Sequence, residues 1–196
     1  MSAIMDMIGS AILFGILTLT VIRVQGNLNT TMMENTLNLN TQSYAVVMAR
    51  EIEHDLTKAG YGVTGPKIFT ADSTELAFIG ALTYGGALDS IAYSIGDPDT
   101  LSSNPHDFVF IRTARSRGAL PIRCGMTDFK ISYFDSLNAP MATPIGPARR
   151  AAIRGINIKF RLESLDAVTD PLTGTTNFFA VSWEKLIYPR NLGKPF

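Results

Sequence analysis

Residues 1–23 read MSAIMDMIGSAILFGILTLTVIR, and Asp6 is the only charged side chain before Arg23. Met7–Ile22 is uncharged, and at ~1.5 Å per helical residue it covers about 24 Å, short of the ~30 Å hydrocarbon core of a bilayer. Extending the run to Ala3 and Val24 makes it long enough, but brings Asp6 inside. An ionised carboxylate in hydrocarbon costs several kcal/mol, on the order of 3 or more, unless it is paired. Asp6 therefore either lies outside the apolar layer or has a partner elsewhere. A cleaved signal peptide would want Lys or Arg before the run and small residues after it. No basic residue precedes the run, and VIRVQGNLN follows it. A retained hydrophobic helix is the expectation.

The helix is predicted to continue past the apolar run. The first proline is Pro66, and Gly26 is the sole glycine between Leu17 and Ala59. In YAVVMAREIEHDLTKAGYG, residues Tyr44, Val47, Met48, Ile52 and Leu56 recur at helical spacing and define one face. Arg50, Glu51, Glu53, His54, Asp55 and Lys58 fall largely on the other, with Glu51 and Asp55 placed to meet nearby cations. Gly60 and Gly62 supply the stop, where a left-handed residue is commonly needed. The intervening NLNTTMMENTLNLNTQ holds five Asn and four Thr. These side chains compete for backbone hydrogen bonds and form helix weakly. Leu28, Met32, Thr36 and Leu39 still keep a rough stripe, so helix is preferred over unwinding near Gly26. The whole would run about 55–60 residues, on the order of 85 Å. A helix of that length exceeds what one domain needs, so its end must contact something else.

Beyond Gly62 the punctuation changes, and all ten prolines lie there. Candidate strands are ELAFIGAL, SIAYSI, DFVFIRTA, LPIRCGM, DFKISYFD, RGINIKFRLES and FFAVSWEKLIYP. Ile156, Ile158, Phe160 and Leu162 alternate with Asn157, Lys159, Arg161 and Glu163, the pattern of a half-buried antiparallel strand. GDPDTLSSNP and TDPLTGTTN read as turns, and PIGPARRAAIRG as a short helix or loop. The expected fold class is α+β, a long N-terminal helix followed by an antiparallel sheet-rich head. The expected division is 1–26 hydrophobic helix, 27–62 amphipathic continuation and 63–196 head.

Chemistry is sparse. The formal net charge is zero, with 17 basic and 17 acidic residues, so no nucleic-acid partner is expected. Cys124 is the one cysteine, which rules out an intrachain disulfide; a lone thiol reads first as a small buried hydrophobe. The two histidines, His54 and His106, are far apart, and no Cys or His pair has zinc-ligand spacing. His54 reads as solvated. No G-x-S-x-G, phosphate-binding glycine loop or H-E-x-x-H is present, and no cofactor or catalytic residue is assigned. Asp97 and Asp99 are weak calcium candidates that read better as a turn. Arg115, Arg117, Arg149, Arg150 and Arg154 form two small basic clusters. They would suit a phosphate or an acidic neighbour, but solvated loop charge is the preferred reading. Asn29 lies in an N-T-T glycan acceptor sequence. The aromatic content of 9% is ordinary and supports no claim of electron conduction.

Read together, AREIEHDLTKAGYG, TDFKISYFD, RAAIRGINIKFRLES and FFAVSWEKLIYPRNLG, in that order, resemble the type IV pilin-like proteins. The nearest groups are PilW-type minor pilins and the J-type pseudopilins of type II secretion. The resemblance covers nearly the whole chain. It implies a membrane-stored subunit extracted into a helical filament whose core is bundled N-terminal helices, with the heads outside. It also implies that an acid near the N-terminus pairs with the terminal amine of a neighbour, which here makes Asp6 the candidate and Met1 its counterpart. Ile12, Leu13, Phe14, Ile16 and Leu17 would then pack between subunits. The family's leader ending in glycine, followed by Phe-Thr-Leu-x-Glu, is not matched. The acid is Asp and stands sixth from Met1, and loss of Met1 would make it fifth from Ser2. The function expected is that of a structural subunit of an extracellular filament. The alternatives are a minor pilin or pseudopilin that primes or tips a pilus or secretion pseudopilus, and, from a different class, a membrane-anchored periplasmic binding domain. Expected partners are copies of the same chain, other pilins and an assembly platform. The expected location is the inner membrane before assembly and the cell exterior or periplasm afterwards.

Overall fold

The computed structural model describes residues 2–81, 86–169 and 174–193. The chain is α+β. One helix, α1, runs from Ser2 to Thr57 without a break, about 84 Å at ~1.5 Å per residue. It passes straight through Gly26 and the Asn/Thr segment, so the unwinding considered near Gly26 does not occur. The threonines there act within the helix: Thr30, Thr31, Thr36 and Thr41 each donate to the carbonyl four residues back, at 2.8–3.1 Å. A hydroxyl that bonds back onto its own helix no longer offers the backbone a competing partner.

The helix stops where two glycines permit it. Gly60 and Gly62 have φ of 77° and 72°, a left-handed conformation that residues with a Cβ adopt at a cost. The chain then joins the sheet at once, because the Gly60 N–H donates to the Ile79 carbonyl at 2.8 Å and the Ala81 N–H to Tyr61 at 2.9 Å.

The head is an antiparallel sheet in the order β1-β2-β3-β4-β5-β7-β10. These strands are β1 (Ile68–Ala71), β2 (Glu75–Ala81), β3 (Leu88–Pro98), β4 (Phe108–Ala114), β5 (Gly118–Phe134), β7 (Gly155–Glu163) and β10 (Ala180–Ile187). A two-residue strand β6 (Pro140–Met141) pairs with the end of β5, and β8 (Val168–Thr169) with β9 (Thr176–Asn177) forms a separate small ribbon. A single-turn helix α2 (Pro147–Arg150) precedes β7. LPIRCGM and DFKISYFD, expected as two strands, are one long strand, β5. What splits the pattern is a bulge: the pairing with β7 shifts between Met126 and Asp128. Gly125 sits beside it with φ 73°, and a Cβ there would fall 1.9 Å from the Glu163 carbonyl oxygen, so only glycine fits. GDPDTLSSNP turns later than expected, since Gly96–Pro98 still belong to β3. Part of TDPLTGTTN, and Leu82 at the end of ELAFIGAL, lie outside the described residues.

The core forms between the helix end and one sheet face. Ile156, Ile158, Phe160 and Leu162 of β7 are buried as the alternation predicts, and they register opposite Tyr133, Ile131, Phe129 and Met126 of β5. Aromatic rings run across the face: Tyr93 stacks on Phe110 at 5.6 Å, and Phe110 meets Phe129 edge-on at 4.9 Å. Ile52 and Leu56 of α1 close the core with no exposed surface.

The buried helical face differs from the sequence reading. Thr41, Ala45, Met48, Ala49, Ile52, Asp55, Leu56 and Ala59 are buried, while Tyr44 and Val47 are exposed. Small residues let a helix lie close to a sheet, so Ala45 and Ala49 occupy the contact and the bulkier Tyr44 and Val47 point away.

Candidate functional site

The residues singled out for assembly lie in the part of α1 that the head does not cover. Ile12, Leu13, Phe14, Ile16 and Leu17 are all exposed, from 58% to 74%. Asp6 is exposed as well, and among the described residues it has no ion-pair partner. Met1 lies outside the described residues. No residue between Ala3 and Asn40 is buried. Within α1 an 18-residue window reaches a mean hydropathy of 2.0 with none of it buried, long and apolar enough to cross a membrane.

The arrangement of this surface matters as much as its extent. Ile4, Met5, Met7, Ile8, Ile12, Leu13, Phe14 and Ile16 point in all directions rather than along one stripe. A helix apolar all round is suited to a bilayer or to the centre of a bundle, whereas an amphipathic surface helix carries one apolar stripe. The hydroxyls within the run are consistent with a dry environment. Ser10 donates to the Met7 carbonyl at 3.0 Å, Thr18 to Phe14 at 2.8 Å and Thr20 to Ile16 at 2.9 Å. Each is satisfied by its own helix and adds no unpaired donor to an apolar surrounding. Asp6 is the one group in the run that could not enter such a surrounding at no cost. Apolar exposure continues past Gly26 through Leu28, Met32, Met33 and Leu39.

The second element of the site is the clasp that fixes this helix to the head. Spacing predicts Asp55 on the solvated face, but it is 3% exposed. Its carboxylate accepts hydrogen bonds from the Tyr93 hydroxyl at 2.5 Å and from Arg112 Nε and Nη2 at 3.0 and 2.7 Å. Arg112 also reaches Glu51 at 3.1 Å. The cation expected near Glu51 and Asp55 is therefore Arg112, supplied by β4. Burial alone would lower the Arg112 pKa, but the bonds to Asp55 and Tyr93 and the Asp55 charge outweigh it and raise it further. Tyr93 is pushed well up by burial and then by the Asp55 charge, so its hydroxyl stays a donor. At the β10 edge of the sheet Lys185 pairs with Glu53 at 2.8 Å. With partners on β3, β4 and β10, the helix end is held by a sheet that curls around it.

The remaining candidates fall into ordinary surroundings. Asp97 is exposed. Asp99 is buried, accepts from the Leu101 N–H at 3.0 Å and pairs with Arg123 at 3.3 Å. Among the described residues no group of three His, Cys, Asp or Glu side chains could hold a metal. Cys124 is buried, and burial followed by the Asp107 charge pushes its thiol up to about 12, a protonated and unreactive state at neutral pH. His54 is exposed; His106 sits 3.5 Å from Glu163 and edge-on to Phe178. Arg115, Arg117 and Arg149 are exposed, whereas Arg150 and Arg154 are half-buried and bonded to backbone carbonyls. These two are a correction to the reading of all five as solvated loop charge.

Sequence reasoning missed Arg112 and Tyr93, because nothing in DFVFIRTA or SIAYSI indicates which helix residue lies above them. The alanine spacing was the available signal: Thr41, Ala45, Met48, Ile52, Asp55 and Ala59 recur every three or four residues, and following that row would have put Asp55 inside. No protein-family model, curated protein or solved structure matches this chain.

Proposed function

We propose that this protein is a structural subunit of a type IV pilin-like extracellular filament, stored in the membrane and assembled through the first part of α1. The supporting observation is that this helix is apolar on every side from Met7 to Ile22 and that no residue from Ala3 to Asn40 is buried. Each exposed Leu, Ile or Phe forgoes about 1.5–3 kcal/mol of burial, and none of the described residues of the head covers it. A bilayer covers such a helix before assembly and parallel copies cover it afterwards. The rigid extension of α1 into the head would carry the head domains to the outside of a helix bundle. Asp6 then pairs with the terminal amine of a neighbouring copy, which offsets the cost of placing a carboxylate within the bundle.

Electron microscopy and mass spectrometry of sheared cell-surface material test the reading. Filaments that contain this chain are expected. Recovery of the chain only from membrane fractions would overturn it, and a low copy number within filaments of another subunit would convert it to the minor-pilin or pseudopilin reading. Asp6→Ala is expected to leave the head folded and the chain in the membrane while filament yield falls. Normal yield from that variant refutes the pairing role.

A further inference from the structure

Between Met7 and Ala49, α1 carries two charged side chains, Arg23 and Glu34. At ~3.6 residues per turn, 18 residues make about five turns, so Arg23 stands directly below Thr41 and Glu34 directly below Ile52. Thr41 and Ile52 are buried against the head. Both charges therefore lie on the head side of the helix, and the opposite side is uncharged from Met7 to Ala49.

That opposite side holds an apolar row. Met32 is about two and a half turns from Thr41 and so faces directly away from the head. Phe14 stands five turns below Met32, Val21 below Leu39, and Leu28 below Val46, each by the same 18-residue spacing. All six are exposed, from 46% to 74%. Asn35 and Gln42 follow Leu28 on this face at steps of seven, and both are exposed. Met33 and Tyr44, exposed as well, lie to one side of the row.

The length and chemistry of the row decide what can cover it. From Phe14 to Val46 it runs ~48 Å at ~1.5 Å per residue, against a hydrocarbon core of ~30 Å. A bilayer that holds Met7–Ile22 thus leaves Leu39 and Val46 outside. Asn35 and Gln42 would be costly in hydrocarbon without partners. An uncharged row of equal length, with amides that both donate and accept, is what another copy of α1 presents. An apolar repeat of seven sustained over four heptads is the seam of supercoiled helices, in which an amide fixes the register. Up to Val46 the described part of the head packs on the other side, so two such faces can meet along their whole length.

We infer that a second copy of this chain lies parallel along this face, in contact from Phe14 to Val46, so that the pairing continues past the membrane segment to the level of the head. The parallel orientation rests on the filament reading, in which every copy enters the membrane through the same run. The choice of face does not, because it follows from where the charges and the head lie.

Disulfide crosslinking in membranes tests it, with two differently tagged copies expressed together. One carries Met32→Cys and the other Gln25→Cys, Leu28→Cys, Met32→Cys or Asn35→Cys in turn, which samples the registers of the seam. Cys124 is buried and adds no background. At least one combination is expected to crosslink about tenfold more than the head-side controls Asn27→Cys and Glu34→Cys, since a disulfide needs Cβ atoms about 4 Å apart. Leu39→Glu in both copies is expected to leave head unfolding and membrane content unchanged, because Leu39 is exposed and lies beyond the bilayer span. It should lower the strongest crosslink about tenfold, by placing unpaired carboxylates in the seam. Crosslinking no stronger than at Asn27 and Glu34, or undiminished by Leu39→Glu, overturns the inference even where filaments form. Strong crosslinking that Leu39→Glu abolishes, in cells that make no filament, upholds this face as the contact and overturns the filament reading alone.

Discussion

Two stretches of α1 share one backbone and differ in almost every other respect. From Ala3 to Asn40 the helix is apolar on all sides at first, then rich in Asn and Thr, and nowhere buried. From Thr41 to Thr57 it has one buried stripe, with small residues at the closest approach and charges elsewhere. The later stretch is stabilised by its own chain: Ile52 and Leu56 complete the core, and Asp55, Tyr93 and Arg112 form a buried polar clasp. The earlier stretch has the composition of a buried element, and among the described residues nothing covers it. A helix of ordinary propensity is mostly stabilised by packing of its faces, so the first stretch implies surroundings beyond the monomer, whereas the second explains itself.

That contrast can be broken most forcefully at the clasp. Asp55→Ala leaves Arg112 half-buried with only Glu51 as an ion partner and removes the acceptor of the Tyr93 hydroxyl. Breaking a buried pair typically costs about 3–5 kcal/mol, and thermal unfolding of the full chain in detergent should show a loss of that order, with the helix end detaching from the sheet. A loss below about 1 kcal/mol would mean that the apolar contacts alone hold the helix.

The uncovered stretch should respond in the opposite sense. Phe14→Lys touches nothing in the head, so the unfolding transition of the head is expected to stay where it is. Membrane insertion should suffer by about 2.5–3.5 kcal/mol, the cost of a cation near a bilayer centre, read as a shift of the chain from membrane to soluble or degraded fractions. An altered head stability from this variant would join the two stretches into one cooperative unit and remove the contrast.

The smallest effect sharpens the boundary instead of breaking it. Glu53→Gln removes the ion pair with Lys185 at the partly exposed edge of the clasp. An exposed pair contributes about 0.2–1 kcal/mol, and the loss should shrink as salt is raised. An effect as large as that of Asp55→Ala would move the mechanical link between helix and sheet to β10.

The division between helix and head is plain in the residue order, as is the alternation of β7. Local rules suffice for both: prolines are absent before Pro66, glycines stand at positions 60 and 62, and Ile156 to Leu162 repeat with period two. β5 is less legible, because a glycine bulge that continues a strand looks the same in sequence as a turn that ends one. The polar partners are not legible at all. Asp55 sits among Arg50, Glu51, Glu53 and His54, and only the placement of β3 and β4 beneath it makes it a buried acceptor instead of a solvated charge. Lys67 is likewise more than eighty positions from Arg150 and Arg154, and it meets them because β1, α2 and the end of the chain converge. Periodicity reports which residues share a face, since that depends on neighbours along the chain. Which charge meets which depends on contacts between distant segments, and those exist only once the sheet has closed around the helix.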